Sequence, residues 1–292
     1  MSTLISLRIA LFSVFVICSI SVFSQITKQE KDSIYIAETE EQENLSAKVL
    51  HAEPLYIDLI RDLGARKGER EWNLGFGIKD NNNYEEYETL LEYEWAVIDR
   101  LGLEVELPFT FYYDRRGVSN GENSLPRSKL EGLQLAAQYT FLVDPKHNLS
   151  MAGGYLHKFT MNAFDNYSSS RLFTGNLISP FLVVAKRFGT NFHSLLYTGP
   201  LWERGFSGFE NEFFYQINSS FHYMITGTRN FIGLEINKIV LYGNLETTLR
   251  PQMRLGISEH LMIGIVTGIP IEANNDRFST FFRLIYEPKT KH

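Results

Sequence analysis

From Tyr84 to Tyr113 the chain alternates two kinds of side chain by number. Tyr87, Thr89, Leu91, Tyr93, Trp95 and Val97 take odd positions, and Leu103, Val105, Leu107, Phe109, Phe111 and Tyr113 continue the set. Glu86, Glu88, Glu92, Glu94, Glu104 and Glu106 take even ones. Alternation with period two places the sets on opposite faces of two strands, and 99–102, reading DRLG, supplies the turn between them. One face is aliphatic and aromatic and the other is a wall of carboxylates. The water-facing side of a soluble sandwich mixes Lys, Thr and Ser, whereas a lipid-facing exterior around a polar lumen gives this contrast. The pattern predicts an all-β fold, an antiparallel transmembrane β-barrel.

Twelve candidate strands follow, near 71–79, 84–97, 102–113, 130–143, 148–160, 176–188, 191–201, 212–225, 230–241, 246–257, 262–271 and 277–287. Short connections at 99–102, 144–147, 189–190, 226–229 and 258–260 alternate with longer polar ones at 115–129, 161–175 and 203–211. Short periplasmic turns and long outer loops are the barrel arrangement, and an even strand number leaves both termini in the periplasm. The alternation recurs in 212–225, where Phe213, Tyr215, Ile217, Phe221 and Tyr223 oppose Gln216, Asn218 and His222. In 246–257, Leu249, Met253, Leu255 and Ile257 oppose Arg250, Gln252 and Arg254. It weakens in 130–143. In the last strand Phe281 and Ile285 share the side of Ser279 and Arg283, and 176–188 and 262–271 are apolar on both faces. Pro108, Pro180, Pro200, Pro251 and Pro270 fall inside strands, where each removes a ladder donor; the expected place for them is the outer half of the wall, at frays and bulges.

Residues 1–24 read as an export signal: Arg8 is the only charged side chain before Lys28, 9–23 is largely apolar, and Val22 and Ser24 precede a cut before Gln25. The sole cysteine, Cys18, lies inside it, and Val14, Phe15, Val16 and Ile17 lack the small residues of a lipoprotein box. Losing Arg8 takes the net charge from −6 to one unit lower, −7. Residues 25–70 form an acidic periplasmic leader, and 71–292 the barrel. Within the leader, Pro54 followed by Leu55, Leu59 and Leu63 predicts an amphipathic helix of about ten residues, ended by Gly64. A helix that short must dock, either in the lumen or on the periplasmic rim.

With 14% aromatic residues and a mean hydropathy of −0.16, the 292-residue chain suits a barrel better than a helical membrane protein. The acidic balance and the lack of a basic stripe argue against nucleic acid. Seven histidines are scattered without an HExxH motif, and His193 and Ser194, adjacent in a strand, point to opposite faces. No catalytic, metal or cofactor residues are assigned, and no enzyme is expected. The candidate site is the lumen, lined by Glu86, Glu88, Glu92, Glu94, Glu104, Glu106, Arg250, Arg254 and Arg283. Hairpin pairing puts Glu94 opposite or diagonal to Glu106, and facing like charges need relief from arginines, cations, water or protonation. The lumen is then either filled with Glu–Arg pairs or a charged constriction that selects solutes.

The run EYEWAVIDRLGLEVELPF (92–109), with TGIPIE (267–272), resembles the outer-membrane barrel family labelled MetA-pathway of phenol degradation, or transporter-like. The shared features are a turn of the D-R-L form and a strand ending in E-L-P, and the resemblance spans Trp72 to Tyr286. It implies an outer-membrane barrel of a Gram-negative cell that moves small solutes, hydrophobic ones included; no catalytic residues carry over, and the leader lies outside it. The function expected is a channel or uptake barrel in contact with outer-membrane lipid. The alternative is an accessory barrel with a filled lumen that binds a periplasmic or outer partner.

Overall fold

The computed structural model describes residues 35–40, 45–57, 59–81, 84–114, 125–168, 171–207, 211–271 and 276–289; the export signal read over 1–24 lies outside them. The wall starts with β1 (Arg70–Asn81), β2 (Tyr84–Ile98) and β3 (Leu101–Asp114). It continues through β4 (Lys129–Leu130), β5 (Gly132–Asp144), β6 (Leu149–Met161), β7 (Phe173–Phe188), β8 (Phe192–Gly205) and β9 (Asn211–Met224). It ends with β10 (Phe231–Leu241), β11 (Asn244–Gly256), β12 (Leu261–Pro270) and β13 (Asp276–Tyr286). Both β4 and β5 pair with β3, so they fill one position in the wall, interrupted at Glu131. Each strand is antiparallel to its neighbours in the wall, and β1 pairs with both β2 and β13, closing a barrel of twelve wall positions. Closure gives every wall position two neighbours, the condition for a sheet to cross lipid. Among the described residues no helix is long and apolar enough to do so.

The first and last residues of the wall, Arg70 and Tyr286, lie at the end carrying the tight turns after Ile98, Asp144, Phe188, Met224 and Gly256. The opposite end carries the longer connections and the tight turn between β10 and β11, where Tyr242 and Gly243 both have positive φ (49° and 82°), as a two-residue hairpin turn requires. Pro180, Pro200 and Pro251 each interrupt pairing on one side while remaining paired on the other. The β7–β8 register skips from Ile178↔Trp202 to Leu182↔Thr198 around Pro180 and Pro200, and β11–β12 skips from Leu249↔Ile269 to Gln252↔Val266 around Pro251. A register shift between Thr140 and Leu142 accounts for the weak alternation in β5.

The outward set forms a lipid face. Aromatics gather near both rims: Trp72, Tyr93 and Trp95 at the short-turn end (centroids 4.4 and 5.3 Å apart), Tyr87 with Tyr113 (5.5 Å) and Trp202 with Phe213 (5.4 Å) at the other. Between them lie exposed aliphatics such as Leu91 and Leu182. Leu91→Arg and Leu182→Arg, near mid-strand, are expected to cost about 2–4 kcal/mol, against about 0–1 for Ile98→Arg at the rim. Urea unfolding in lipid vesicles measures this; equal costs at both depths would contradict the lipid-face assignment.

The part of the lumen nearer the short turns is filled by the chain's own residues 45–57 and 59–69. The amphipathic helix expected over 54–63 is not formed; the segment runs through bends and turns, and the described helical turn is at 35–40. Leu55, Leu59 and Leu63 do share the fate a helix face would give them, since all are buried. They reach it by facing two separate patches. Leu55 and Ala52 meet Met224, Phe231, Met262, Val266, Phe281 and Ile285. Leu59, Ile60 and Leu63 meet Ala136, Ala152, Phe181, Val183, Ala185 and Leu195. One stripe cannot serve both. Arg61 with φ 68° and Gly64 with φ 83° also turn the backbone out of any right-handed helix.

Candidate functional site: a plugged lumen

What replaces the helix hydrogen bonds is a set of wall side chains. The backbone N–H of Ala52 donates to His193 Nδ1 (3.0 Å) and that of Leu55 to Gln252 Oε1 (2.8 Å). Those of Tyr56 and Ile57 donate to the Glu235 carboxylate (3.4 and 3.1 Å), that of Arg61 to Glu94 (2.9 Å), and that of Gly64 to Thr140 Oγ1 (3.1 Å). Gln138 Nε2 returns a bond to the Arg61 carbonyl (2.8 Å), and the Arg250 guanidinium lies 3.3 Å from the centre of the Tyr56 ring. A buried backbone without such partners would be costly, so the polar lumen stands in for secondary structure. At Gly102 the plug comes so close that a Cβ would sit 2.2 Å from the Ile60 carbonyl oxygen; only glycine fits there.

Ion pairs close the lower end. Lys48 reaches Asp62 (2.6 Å) and Glu69 (3.0 Å), tying the plug to itself, and Arg187 pairs with Glu40 of the 35–40 turn. Arg61 Nη1 lies 2.8 Å from Glu71 and 3.7 Å from Glu94.

Of the residues singled out in the sequence, Glu92, Glu94 and Glu104 are buried inside the wall, with one carboxylate oxygen of each within 4.8 Å of the others. The register pairs Glu92 with Glu106 and Glu94 with Glu104, so Glu94 is diagonal to Glu106. Asn73 donates to Glu92 (2.6 Å), Gln134 to Glu106 (2.7 Å) and Glu104 (3.2 Å), and Arg283 stands 3.6 Å from Glu92. Above them, Glu86 and Glu88 line a cavity of about 690 Å³ on the side of the plug away from the short turns. Its floor is the plug itself: Tyr56, Ile57 and Ile60. Arg250 and Arg254 are also buried inside, but Arg250 holds Tyr56 and Asn237 (2.6 Å), and Arg254 stacks on Phe231 and bonds the Arg229 carbonyl (3.2 Å). The structure thus brings Arg283 alone of the three arginines to the acidic hairpin.

Sequence reasoning missed the plug's holders: Glu235, Gln252, His193, Gln138 and Thr140. The signal was present. Inward positions of β9–β11 are crowded with polar side chains, and inward apolar residues in β7, β12 and β13 (Phe181, Val183, Met262, Phe281) had no reason to face water.

Burial in the plug pushes the His51 imidazole down to about 3, with the charges of His193 and Arg187 adding to the effect. Its Nε2 meets Ser150 Oγ at 2.9 Å, and Asp62 is the acidic group acting on it. An undocked histidine titrates near 6.5. The docked plug therefore binds fewer protons, and this contribution is complete above about 6.5 and lost as pH falls towards about 3. Glu53 works the other way: burial raises its carboxyl, so its contribution is lost as pH rises. As pH falls from about 6.5 to about 4, docking in His51→Gln should be favoured relative to the wild type, since Glu53 acts equally in both. Hydrogen exchange of residues 47–63 reads the difference, and identical pH profiles would remove His51 from the account.

A closed antiparallel barrel with aromatic rims, an aliphatic belt and a charged lumen defines a porin-like outer-membrane protein. Solved structures share the fold. An outer membrane channel from Pseudomonas putida F1 superposes with a TM-score of 0.59 at 14% identity, over 78% of this chain and 98% of that one. NanC porin gives 0.52 at 10% identity over 75% and 99%, and KdgM porin 0.50 at 12% over 74% and 99%. Residues 47–287 match the HAEPLYID-like family, and the chain belongs to it. Residues 51–58 of this chain read HAEPLYID, and 51–57 of that string are the part of the plug reaching from Ser150 to Glu235. No curated protein sequence matches the chain.

Proposed function

We propose that this barrel is an outer-membrane passage for small solutes, shut at rest by residues 45–69. The observation that carries it is the cavity of about 690 Å³ whose floor is a segment bound to the wall by side chains rather than by strand pairing. Such a floor separates from the wall without breaking the ladder that closes the barrel. Three structural neighbours are named as porins or a channel, which supports transport over catalysis. The resemblance of 92–109 and 267–272 to the MetA-pathway barrels extends the proposal to solutes with hydrophobic parts.

A second reading, a permanently filled accessory barrel, is favoured by the number of buried anchors on the plug. A periplasmic partner acting on the leader would reconcile the two by drawing the plug down. Planar-bilayer recording separates them. The full chain should be silent or open rarely, and Glu235→Ala, which removes the acceptor for Tyr56 and Ile57, should give sustained steps. A folded Glu235→Ala barrel, and an equally folded Gln252→Ala barrel, that both stay silent would decide for the filled barrel.

A further inference from the structure

We infer that the cavity above the plug is a binding site for an organic cation with an apolar body. This rests on the passage reading in taking the ligand to be the solute. The volume, about 690 Å³, is that of a site for one small molecule. Its walls are of two kinds. On β2 and β3 it meets Glu86, Glu88, Glu92, Glu104 and Glu106; the cationic groups lining it are Lys158 and Arg283. Glu131, also in the lining, is neutralised by Lys129 at 2.9 Å. Carboxyl groups thus outnumber cationic groups along the lining, which gives the enclosure a negative field. That field repels anions and concentrates cations.

The rest of the lining decides what kind of cation. Leu156, Leu177, Leu201, Ile239 and Phe281 turn apolar surface into the cavity, and Tyr56 and Tyr197 add aromatic rings. A hydrated metal ion gains nothing from those groups. A molecule with an ammonium head and an aliphatic or aromatic stem uses both sides at once, the head among the carboxylates and the stem against the leucines and rings. Sugar acids and other anionic solutes find too few cationic groups here to be held.

Isothermal titration of the refolded full chain in detergent tests this with three probes of one shape, 2-phenylethylammonium, 2-phenylethanol and 3-phenylpropanoate, and with calcium alone. The ammonium should bind at least about tenfold more tightly than the alcohol or the acid. Glu106→Gln and Glu88→Gln, checked for folding by heat-modifiable gel migration, should each weaken it several-fold. Equal binding of the acid, binding of calcium without the amine, or no binding of any probe would overturn the inference. Failure of the passage reading shows elsewhere: if the amine binds but Glu235→Ala never conducts, the site stands and the passage falls. If the variant conducts and no amine binds, the ligand class falls.

Discussion

Replacing Arg61 with alanine unseats the plug and costs the fold about 3–5 kcal/mol, the scale for removing one partner from a buried ion pair. The side chain of Arg61 is only 3% exposed and lies close to Glu71 (2.8 Å) and Glu94 (3.7 Å), with Asp62 at 3.2 Å. Without it Glu71 and Glu94 remain in a lumen that, among the described residues, offers them Asn73 but no equivalent positive charge. The cost is electrostatic and not one of backbone strain, because alanine is no easier to hold at φ 68° than arginine. Arg61→Lys should lose less, keeping the charge but not the fork that reaches two acids at once. Urea unfolding in vesicles, with proteolysis of the leader as a second readout, checks both. A change within about 0.5 kcal/mol for Arg61→Ala, the level of an ordinary surface substitution, would mean the plug is held by its apolar contacts alone.

The wall was legible in the sequence, whereas of the plug only the docking of 54–63, in the lumen or on the rim, was legible and its conformation was not, for one physical reason. Strand alternation depends only on which way each side chain points, so Leu91 against Glu92 announces a lipid face and a lumen without reference to any other part of the chain. The twelve strand positions and the alternation of turns follow from that local rule. The filling of the lumen, by contrast, depends on groups far apart in the chain. Leu55, Leu59 and Leu63 show helical spacing, and a helix is what spacing alone predicts. The wall overrides it because Gln252, Glu235, Glu94 and Thr140 offer the plug's N–H groups acceptors that an isolated segment lacks. The departures from alternation were the trace of this. Phe281 and Ile285 sit on the polar side of β13 because Ala52, Leu55 and Tyr56 pack there, and β7 and β12 are apolar on both faces because they have lipid on one side and the plug on the other. A lumen that is apolar in part is one that something fills.

Opened by Glu235→Ala, the barrel should prefer cations by about tenfold at low salt, since its upper wall carries more acids than bases and sits in a low-dielectric enclosure. The preference should fade as salt rises, because the screening length falls from about 30 Å at 0.01 M to about 3 Å at 1 M. Adding Glu88→Gln and Glu106→Gln removes two of the cavity's carboxylates without touching Glu94, which receives the Arg61 N–H of the plug. The triple variant should therefore conduct as often as its parent and discriminate several-fold less. Reversal potentials under a salt gradient measure the ratio for both barrels at two ionic strengths. If the ratio were unchanged by the two glutamines, permeation would be governed elsewhere, at the level of Arg187, Arg229 and Arg254 where the lumen meets the short turns. An opened barrel that preferred anions would place the selective step there outright.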